Sequence, residues 1–146
     1  MSIIYKENMM DFYGFYTGKI FDAYKYLGAH VEEKGVTFRT FAPSASRITL
    51  IGEFNDWQEW EMNKVSDGNF WECYVPQAKS GQMYKYKIYD RNGNPVDHCD
   101  PYGFGMELHP GSASIIRDMS KYKFKDSQWL QSRSDCRKKP LNIYEI

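Results

Sequence analysis

The chain has 146 residues and a mass of 17.2 kDa, the size of one domain with a single hydrophobic core. Nineteen basic and nineteen acidic side chains give a formal net charge of +0, which argues against a protein built mainly to bind nucleic acid or coat an anionic membrane. The length excludes a (β/α)₈ barrel, which needs about 250 residues, whereas the aromatic content of 17% exceeds what a small core requires.

The first predicted element is an amphipathic helix over residues 10–27, within an N-terminal helical segment that we place at residues 1–30. Apolar residues recur at three- and four-residue spacings, and Gly28 follows as a glycine cap. Gly14 and Gly18 each cost about 1 kcal/mol relative to alanine inside a helix. The front half of the helix is therefore expected to be broken or turn-like.

Five runs with a period of two follow, inside a domain that we place at residues 31–118. They are VTFRTF (36–41), RITLIG (47–52), FWECYV (70–75), YKYKIY (84–89) and SASIIR (112–117). Turn residues separate them without an intervening helical pattern, which is typical of an antiparallel β-sandwich. In the fourth run, one face carries Tyr84, Tyr86 and Ile88 and the other carries Lys85, Lys87 and Tyr89. We predict that one of these faces packs into the core and that the other faces solvent.

The pattern decays after Asp118. Residues 119–139 carry seven basic and two acidic side chains, and we predict a linker that is ordered only in part. Residues 140–146, PLNIYEI, are typical of the start of an apolar strand, and a strand at this place suggests a fragment of a larger protein.

The three cysteines are odd in number, far apart and without a C-x-x-C pair: Cys73, Cys99 and Cys136. Neither a disulfide framework nor a zinc ribbon is suggested. The N-terminus lacks the basic and apolar regions of a secretion signal, and no run approaches the length of a membrane span. We expect reduced thiols, a cytoplasmic location, no membrane partner and no cofactor.

Several motifs carry a resemblance to known proteins. They are AYKYLGAH (23–30), FRTFAPSASRITLIGEFNDW (38–57), the G-x-x-Y-K-Y-K-I run (81–88), HCDPYGF (98–104) and PLNIYEI (140–146). Together they resemble the N-terminal region of bacterial glycogen branching enzymes, and the middle part is similar to a family-48 carbohydrate-binding module. With the strand pattern, this gives an all-β fold, an immunoglobulin-like antiparallel β-sandwich with a short N-terminal helical segment.

The resemblance implies a parent enzyme of glycogen biosynthesis that cuts α-1,4-glucan and rejoins the piece through an α-1,6 bond. In that family the active site lies on a barrel that follows this region, and residues 140–146 would start its first strand. The chain itself is then expected to be catalytically inactive. Its expected partners are α-1,4-glucan, the parent's own catalytic barrel and, through exposed apolar surface, a second copy of the chain.

The candidate site begins where residues 52–57 leave a strand and enter a polar turn. A pyranose has a flat face of C–H bonds and an equator of hydroxyls, so a binder needs an exposed aromatic plane with polar groups at its rim. The resemblance implies that Trp57 stacks on the glucan and that Lys87 bonds a hydroxyl, with Lys85 as the alternative on the same face. The candidate carbohydrate-binding residues are Trp57, Lys87, Asn55 and Lys85.

Two departures from the resembled modules concern this site. Residues 94–97 stand where some modules carry a second tryptophan, and residues 111–114 stand where an asparagine precedes the last strand. Trp60, Trp71 and Trp129 compete with Trp57 as platforms. A purely structural interface domain without glucan binding is the alternative function, in which Trp57 packs on the sandwich or the barrel.

Other chemical constellations are weaker. The acidic residues Glu53, Asp56, Glu59 and Glu61 cluster as glycosidase carboxylates do, but no cleft residues accompany them. The run from His98 to Asp100 offers too few ligands for a metal. Nucleic-acid binding by the basic tail is disfavoured because aromatic and basic residues are not interleaved. No catalytic residue and no metal site is predicted.

Overall fold

A computed structural model describes residues 9–136, 140 and 142–145. These residues form two α-helices, α1 (Phe12–Tyr16) and α2 (Ser127–Cys136). The strands are β1 (Gly28–Glu32), β2 (Gly35–Phe41), β3 (Arg47–Gly52), β4 (Trp60–Glu61), β5 (Asn63–Val65), β6 (Phe70–Val75), β7 (Met83–Tyr89), β8 (Pro95–His98) and β9 (Ser114–Ile115). Short 3₁₀ turns cover Ala23–Lys25, Glu53–Asn55 and Met119–Lys121.

The strands form two antiparallel sheets. Sheet 1 has the order β1-β2-β6-β5, and sheet 2 has the order β4-β3-β7-β8, with β9 also paired to β7. Each of the five predicted runs contains a strand, and the all-β sandwich is confirmed. The sequence pattern missed β1, β4, β5 and β8, because these short strands are defined by the partner they pair with rather than by an alternation of their own.

The core lies between the two sheets and follows from strand alternation. Alternate residues of β2, β3, β6 and β7 point inward, and the largest of them are fully or almost fully buried: Phe38, Ile48, Leu50, Trp71, Tyr84 and Tyr86. The buried tyrosines need hydrogen-bond partners. Both hydroxyls donate to Oδ2 of Asp100, at 2.7 Å from Tyr84 and 3.1 Å from Tyr86.

The N-terminal segment differs from the predicted helix over residues 10–27. The expected break in the front half is wrong, because the α-helix Phe12–Tyr16 lies there and the later residues are not α-helical. Gly14 N–H donates to Oδ1 of Asp11 over 2.8 Å at the start of the helix. Gly18 follows at φ 67°, a left-handed conformation that ends the helix. The next strand, β1, begins at Gly28, the residue predicted as the helix cap. The domain boundary that we placed at residue 30 therefore lies inside this strand.

This segment covers the outer face of sheet 1. Phe12 and Phe15 pack edge-on against Phe70, with ring centroids 4.8 and 5.4 Å apart. Tyr16 extends the contact by donating a hydrogen bond to Asp67 in the β5–β6 turn, 2.5 Å away. A second hydrophobic cluster results outside the sandwich core. Phe70 and its neighbour Trp71 are therefore both buried, on opposite faces of the same strand.

After β9, the segment predicted as a linker contains the 3₁₀ turn Met119–Lys121 and helix α2. Residues 140 and 142–145 have no regular secondary structure, and the remaining residues of the predicted strand at 140–146 lie outside the described residues. The described helices include none that is long and apolar enough to cross a bilayer. Cys73 and Cys99 are free thiols, and burial raises the pKa of Cys73 to about 11.

Candidate functional site

The turn after β3 is held by the side chain of Asn55. Its Oδ1 accepts from the backbone N–H of Gly52 at 3.0 Å, and its Nδ2 donates to the carbonyl oxygen of Gln58 at 2.7 Å. The Trp57 N–H donates to the Gly52 carbonyl at 2.9 Å and closes the same loop. Asn55 therefore joins the two ends of the turn, and its contact with a glucan stays a prediction.

Trp57 is presented in an unusual backbone conformation. Asp56 and Trp57 are both left-handed, with φ values of 53° and 59°. This region is disfavoured for large side chains and costs on the order of 1–3 kcal/mol for each residue held there. The Trp57 side chain gains no deep burial in return, since the residue is 40% exposed. The Trp57 backbone is therefore strained while much of its ring stays at the surface.

The competing tryptophans differ in burial. Trp71 is only 3% exposed and its indole N–H donates to the carbonyl of Ala42 at 3.2 Å, which excludes it as a surface platform. Trp60 lies on the two-residue edge strand β4 and is 36% exposed. Trp129 lies on α2 and is exposed. Of the four, Trp57 alone combines exposure with a left-handed backbone.

The outer face of sheet 2 carries Lys87 in a network of charges. Its Nζ lies 3.5 Å from Oε1 of Glu59. In the strand register it stands opposite Thr49 of β3 and Asp97 of β8. One carboxylate therefore holds the Lys87 ammonium, and a second carboxylate lies on the neighbouring strand.

Lys85 lies on the same face in a different setting. Its Nζ donates to the Ser112 hydroxyl at 3.0 Å, and it stands opposite Ile51. Within the described residues, no carboxylate lies within ion-pair distance of it. An ammonium has three donors, so Lys85 keeps donors for a ligand. It also follows Tyr84, which pairs with Gly52, the residue where the Trp57 turn begins.

The network around Lys87 is centred on the Glu59 carboxylate. It accepts hydrogen bonds from the Tyr89 hydroxyl at 2.8 Å and from the Thr49 hydroxyl at 3.3 Å, and it lies 3.1 Å from the Arg47 guanidinium. The Tyr89 hydrogen bond, with the nearby Lys87 and Arg47 charges, lowers the pKa of Glu59, and the same bond raises the pKa of Tyr89. Local sequence analysis missed this network because its members come from different strands.

Three carboxylates of the acidic cluster make contacts within the fold. Glu53 accepts the Met83 N–H at 2.8 Å, Glu59 belongs to the network above, and Glu61 forms an ion pair with Arg47. These carboxylates hold the turn and strands together. The described residues also contain no group of three side chains that could bind a metal ion. Asp100, the last residue of the weak metal motif, is buried beneath the two core tyrosines.

A separate concave surface lies between β1 and the residues after β9. It has a volume of about 640 Å³, and aromatic rings line much of it, from Tyr24, Phe104, Tyr122 and Phe124. None of the four predicted site residues lines this groove. The groove and the Trp57 turn are therefore distinct surfaces.

Residues 26–103 match the family model of carbohydrate-binding module 48, the isoamylase N-terminal domain. The chain is 37% identical over 147 residues to a 1,4-alpha-glucan branching enzyme of Fusobacterium nucleatum, covering 99% of the chain and 24% of that enzyme. It is 39% identical over 139 residues to the branching enzyme of Dechloromonas aromatica, covering 92% of the chain and 22% of the enzyme. The chain thus spans about a quarter of the length of these curated relatives.

Solved structures share the fold at lower sequence identity. A pullulanase from Anoxybacillus sp. LM18-11, crystallised with maltotetraose, aligns with a TM-score of 0.58 and 24% identity over 67% of this chain and 14% of its own. A pullulanase from Bacillus acidopullulyticus aligns with a TM-score of 0.56 and 23% identity over 70% of this chain and 13% of its own. These similarities support the sandwich architecture.

Proposed function

The chain belongs to the carbohydrate-binding module 48 family, and from this premise we propose that it binds an α-1,4-glucan at the Trp57 turn and the adjoining face of sheet 2. We further propose that it is the N-terminal glucan-binding and domain-packing module of a cytoplasmic branching enzyme of glycogen biosynthesis. The branching-enzyme relatives, which are about four times as long, support this second statement. The chain by itself is expected neither to branch nor to hydrolyse amylose.

The observation that carries the proposal is the exposed, left-handed Trp57. A sugar ring stacks its C–H face on an aromatic plane, and an aromatic ring at a surface turn offers that plane without disturbing the core. The turn is fixed by Asn55 rather than by the indole, so the ring is free to serve a ligand. Because two successive left-handed residues are costly, a turn retained only for packing would gain little from a tryptophan here.

We assign the sugar-hydroxyl donor to Lys85 in preference to Lys87. The Lys87 ammonium is neutralised by Glu59, whereas Lys85 has one neutral partner, Ser112. Both ammoniums have three donors, but the one held beside a carboxylate gains less from a neutral sugar hydroxyl than the one whose described partner is itself a neutral hydroxyl. Ser112 lies in the segment where the resembled modules carry an asparagine, so this hydroxyl is placed to share the polar rim with Lys85.

Titration calorimetry with maltoheptaose tests the proposal. One stacking plane and a few hydroxyl bonds should give about −4 to −6 kcal/mol, which corresponds to dissociation constants between millimolar and tens of micromolar. Trp57→Ala should remove about 1–2 kcal/mol of this and leave the melting temperature nearly unchanged. Trp60→Ala is the matched control, because Trp60 has nearly the same exposure on the neighbouring strand.

Two results separate this function from its alternative. Absence of wild-type binding, together with a large loss of stability in Trp57→Ala, would show that the tryptophan is a packing residue of a purely structural interface domain. The aromatic groove near Phe104 is a surface that such a domain would use. Self-association through exposed apolar side chains stays a prediction, which sedimentation at increasing protein concentration checks.

A further inference from the structure

The Glu59 side chain joins strands β3 and β7 to the turn that precedes β4. Its carboxylate contacts Thr49 and Arg47 of β3 and Lys87 and Tyr89 of β7, while its own backbone lies in the turn that leads into β4. The contacts lie directly on the sheet, since Thr49 beneath them is fully buried although it points away from the sandwich core. Glu59 therefore holds the end of the turn against the outer face.

The turn that presents Trp57 is fixed both before and after the tryptophan. Before it, the Asn55 side chain accepts the Gly52 N–H and the Glu53 carboxylate accepts the Met83 N–H. After it, the Glu59 side chain ties the turn to β7. Trp57 lies between Asn55 and Glu59, two positions before Glu59. The direction of the indole plane therefore depends on contacts on both sides of Trp57. The neighbouring Glu61 pairs with Arg47, and its side chain is 59% exposed against 33% for Glu59.

We propose that Glu59 is a positioning residue of the glucan site, which fixes the orientation of Trp57 by anchoring its turn to Tyr89 and Lys87. This inference rests on the proposed function for its ligand but on the geometry of the network for its mechanism. Glu59 does not contact the glucan. It retains Lys87 as a structural partner and leaves Lys85 as the lysine that faces the ligand.

Three variants test the proposal with maltoheptaose as the probe. Glu59→Ala removes every contact of the carboxylate and should weaken binding by about five-fold, the size expected when an exposed network worth about 1 kcal/mol is lost. Glu59→Gln keeps an acceptor for the Tyr89 hydroxyl and should recover part of this loss. Glu61→Ala is the matched control on the same face and should change the dissociation constant by less than about two-fold.

A second readout reports on Trp57 without a ligand. In a protein with Trp60→Phe and Trp129→Phe, Trp57 is the accessible indole, because Trp71 is buried. Glu59→Ala should increase quenching of this indole by acrylamide and shorten its rotational correlation time, while Glu61→Ala should change neither. The thermal melts of both variants should stay close to wild type.

The outcomes separate the two proposals. If wild type fails to bind maltoheptaose, the proposed function is wrong, and the quenching experiment still decides whether Glu59 orients Trp57. If wild type binds and Trp57→Ala does not, but Glu59→Ala binds normally with unchanged quenching, the positioning role is wrong. Equal losses in Glu59→Ala and Glu61→Ala would also overturn it, because general surface charge would then explain both.

Discussion

The outer faces of the two sheets are built from the same strand alternation but have opposite character. On sheet 1, Phe41 and Phe70 point outward and are covered by aromatic rings of the N-terminal segment. On sheet 2, the outward positions of β3 and β7 include Arg47, Lys85 and Lys87, and among the described residues no aromatic segment packs over them. The Phe41 and Phe70 region of sheet 1 is therefore a second core, whereas the outer face of sheet 2 carries a network of charges.

This difference shows that alternation alone does not decide what an outer face does. A strand presents a side-chain row on each face, and a covering segment can turn one of these rows into core. On the outer face of sheet 2, Arg47 and Lys87 are paired with carboxylates, whereas Lys85 donates to the neutral hydroxyl of Ser112.

The largest effect is expected at Phe70, in the covered face of sheet 1. Phe70→Ala should lower the free energy of unfolding by about 3–5 kcal/mol, because the ring is fully buried among Phe12, Phe15 and Phe41. Lys87→Ala, on the open face of sheet 2, should cost less than about 1 kcal/mol. Urea unfolding of both variants measures the contrast, and equal losses would show that the N-terminal segment does not form a core.

The sequence predicts the covered face only in part. Alternation finds the inward rows of β2, β3, β6 and β7, since each run carries its own period. It also shows that Phe70 and Trp71 face opposite ways, but burial of both depends on a segment more than fifty residues upstream that contacts Phe70. The long helix predicted there fails at Gly18, where a left-handed turn ends the helix.

For the outer face of sheet 2, the sequence also predicts only part of the arrangement. The turn containing Trp57 is visible in the sequence as a polar exit from a strand, and the resemblance to known modules singles out its tryptophan. The choice between Lys85 and Lys87 depends on cross-strand partners, since Glu59 lies 28 positions before Lys87 and Ser112 lies 27 after Lys85. Spacing along one strand gives both lysines the same face, and tertiary contacts alone distinguish them.

A smaller effect is expected from Asp100, in the interior that both faces share. Burial raises the pKa of its carboxyl, although hydrogen bonds from Tyr84 and Tyr86 act in the opposite direction. A raised folded-state pKa means that the folded protein holds the proton more tightly than the unfolded chain does. The stabilisation is complete below the ordinary value of about 3.9 and is lost as pH rises through the raised value.

The Asp100→Asn variant isolates this dependence. The variant lacks the titrating group, so wild type should lose free energy of unfolding relative to Asp100→Asn as pH rises through this window. Acids whose pKa is lowered, such as Glu59 and Asp118, have the opposite dependence but are common to both proteins and cancel in the difference. Urea unfolding at several pH values gives the comparison, and a difference that is constant with pH would contradict it.

The smallest predicted effect distinguishes the two lysines of the open face. Lys85→Ala should weaken maltoheptaose binding by about 0.5–1.5 kcal/mol, the usual net contribution of one hydrogen bond. Lys87→Ala should weaken binding less, because the Lys87 ammonium is paired with Glu59 on the sheet and is not assigned to the ligand. Calorimetry with both variants and with Ser112→Ala measures the order.

The comparison is sharp because Lys85 and Lys87 stand two residues apart on one strand, point to the same side and are both half-buried. Any general effect of removing a positive charge from this face therefore acts on both variants alike. Ser112→Ala removes the hydroxyl that Lys85 contacts and leaves the Lys87 network unchanged. A larger loss in Lys87→Ala than in Lys85→Ala would reverse the assignment, since it would mean that the glucan takes Lys87 from Glu59 despite their ion pair.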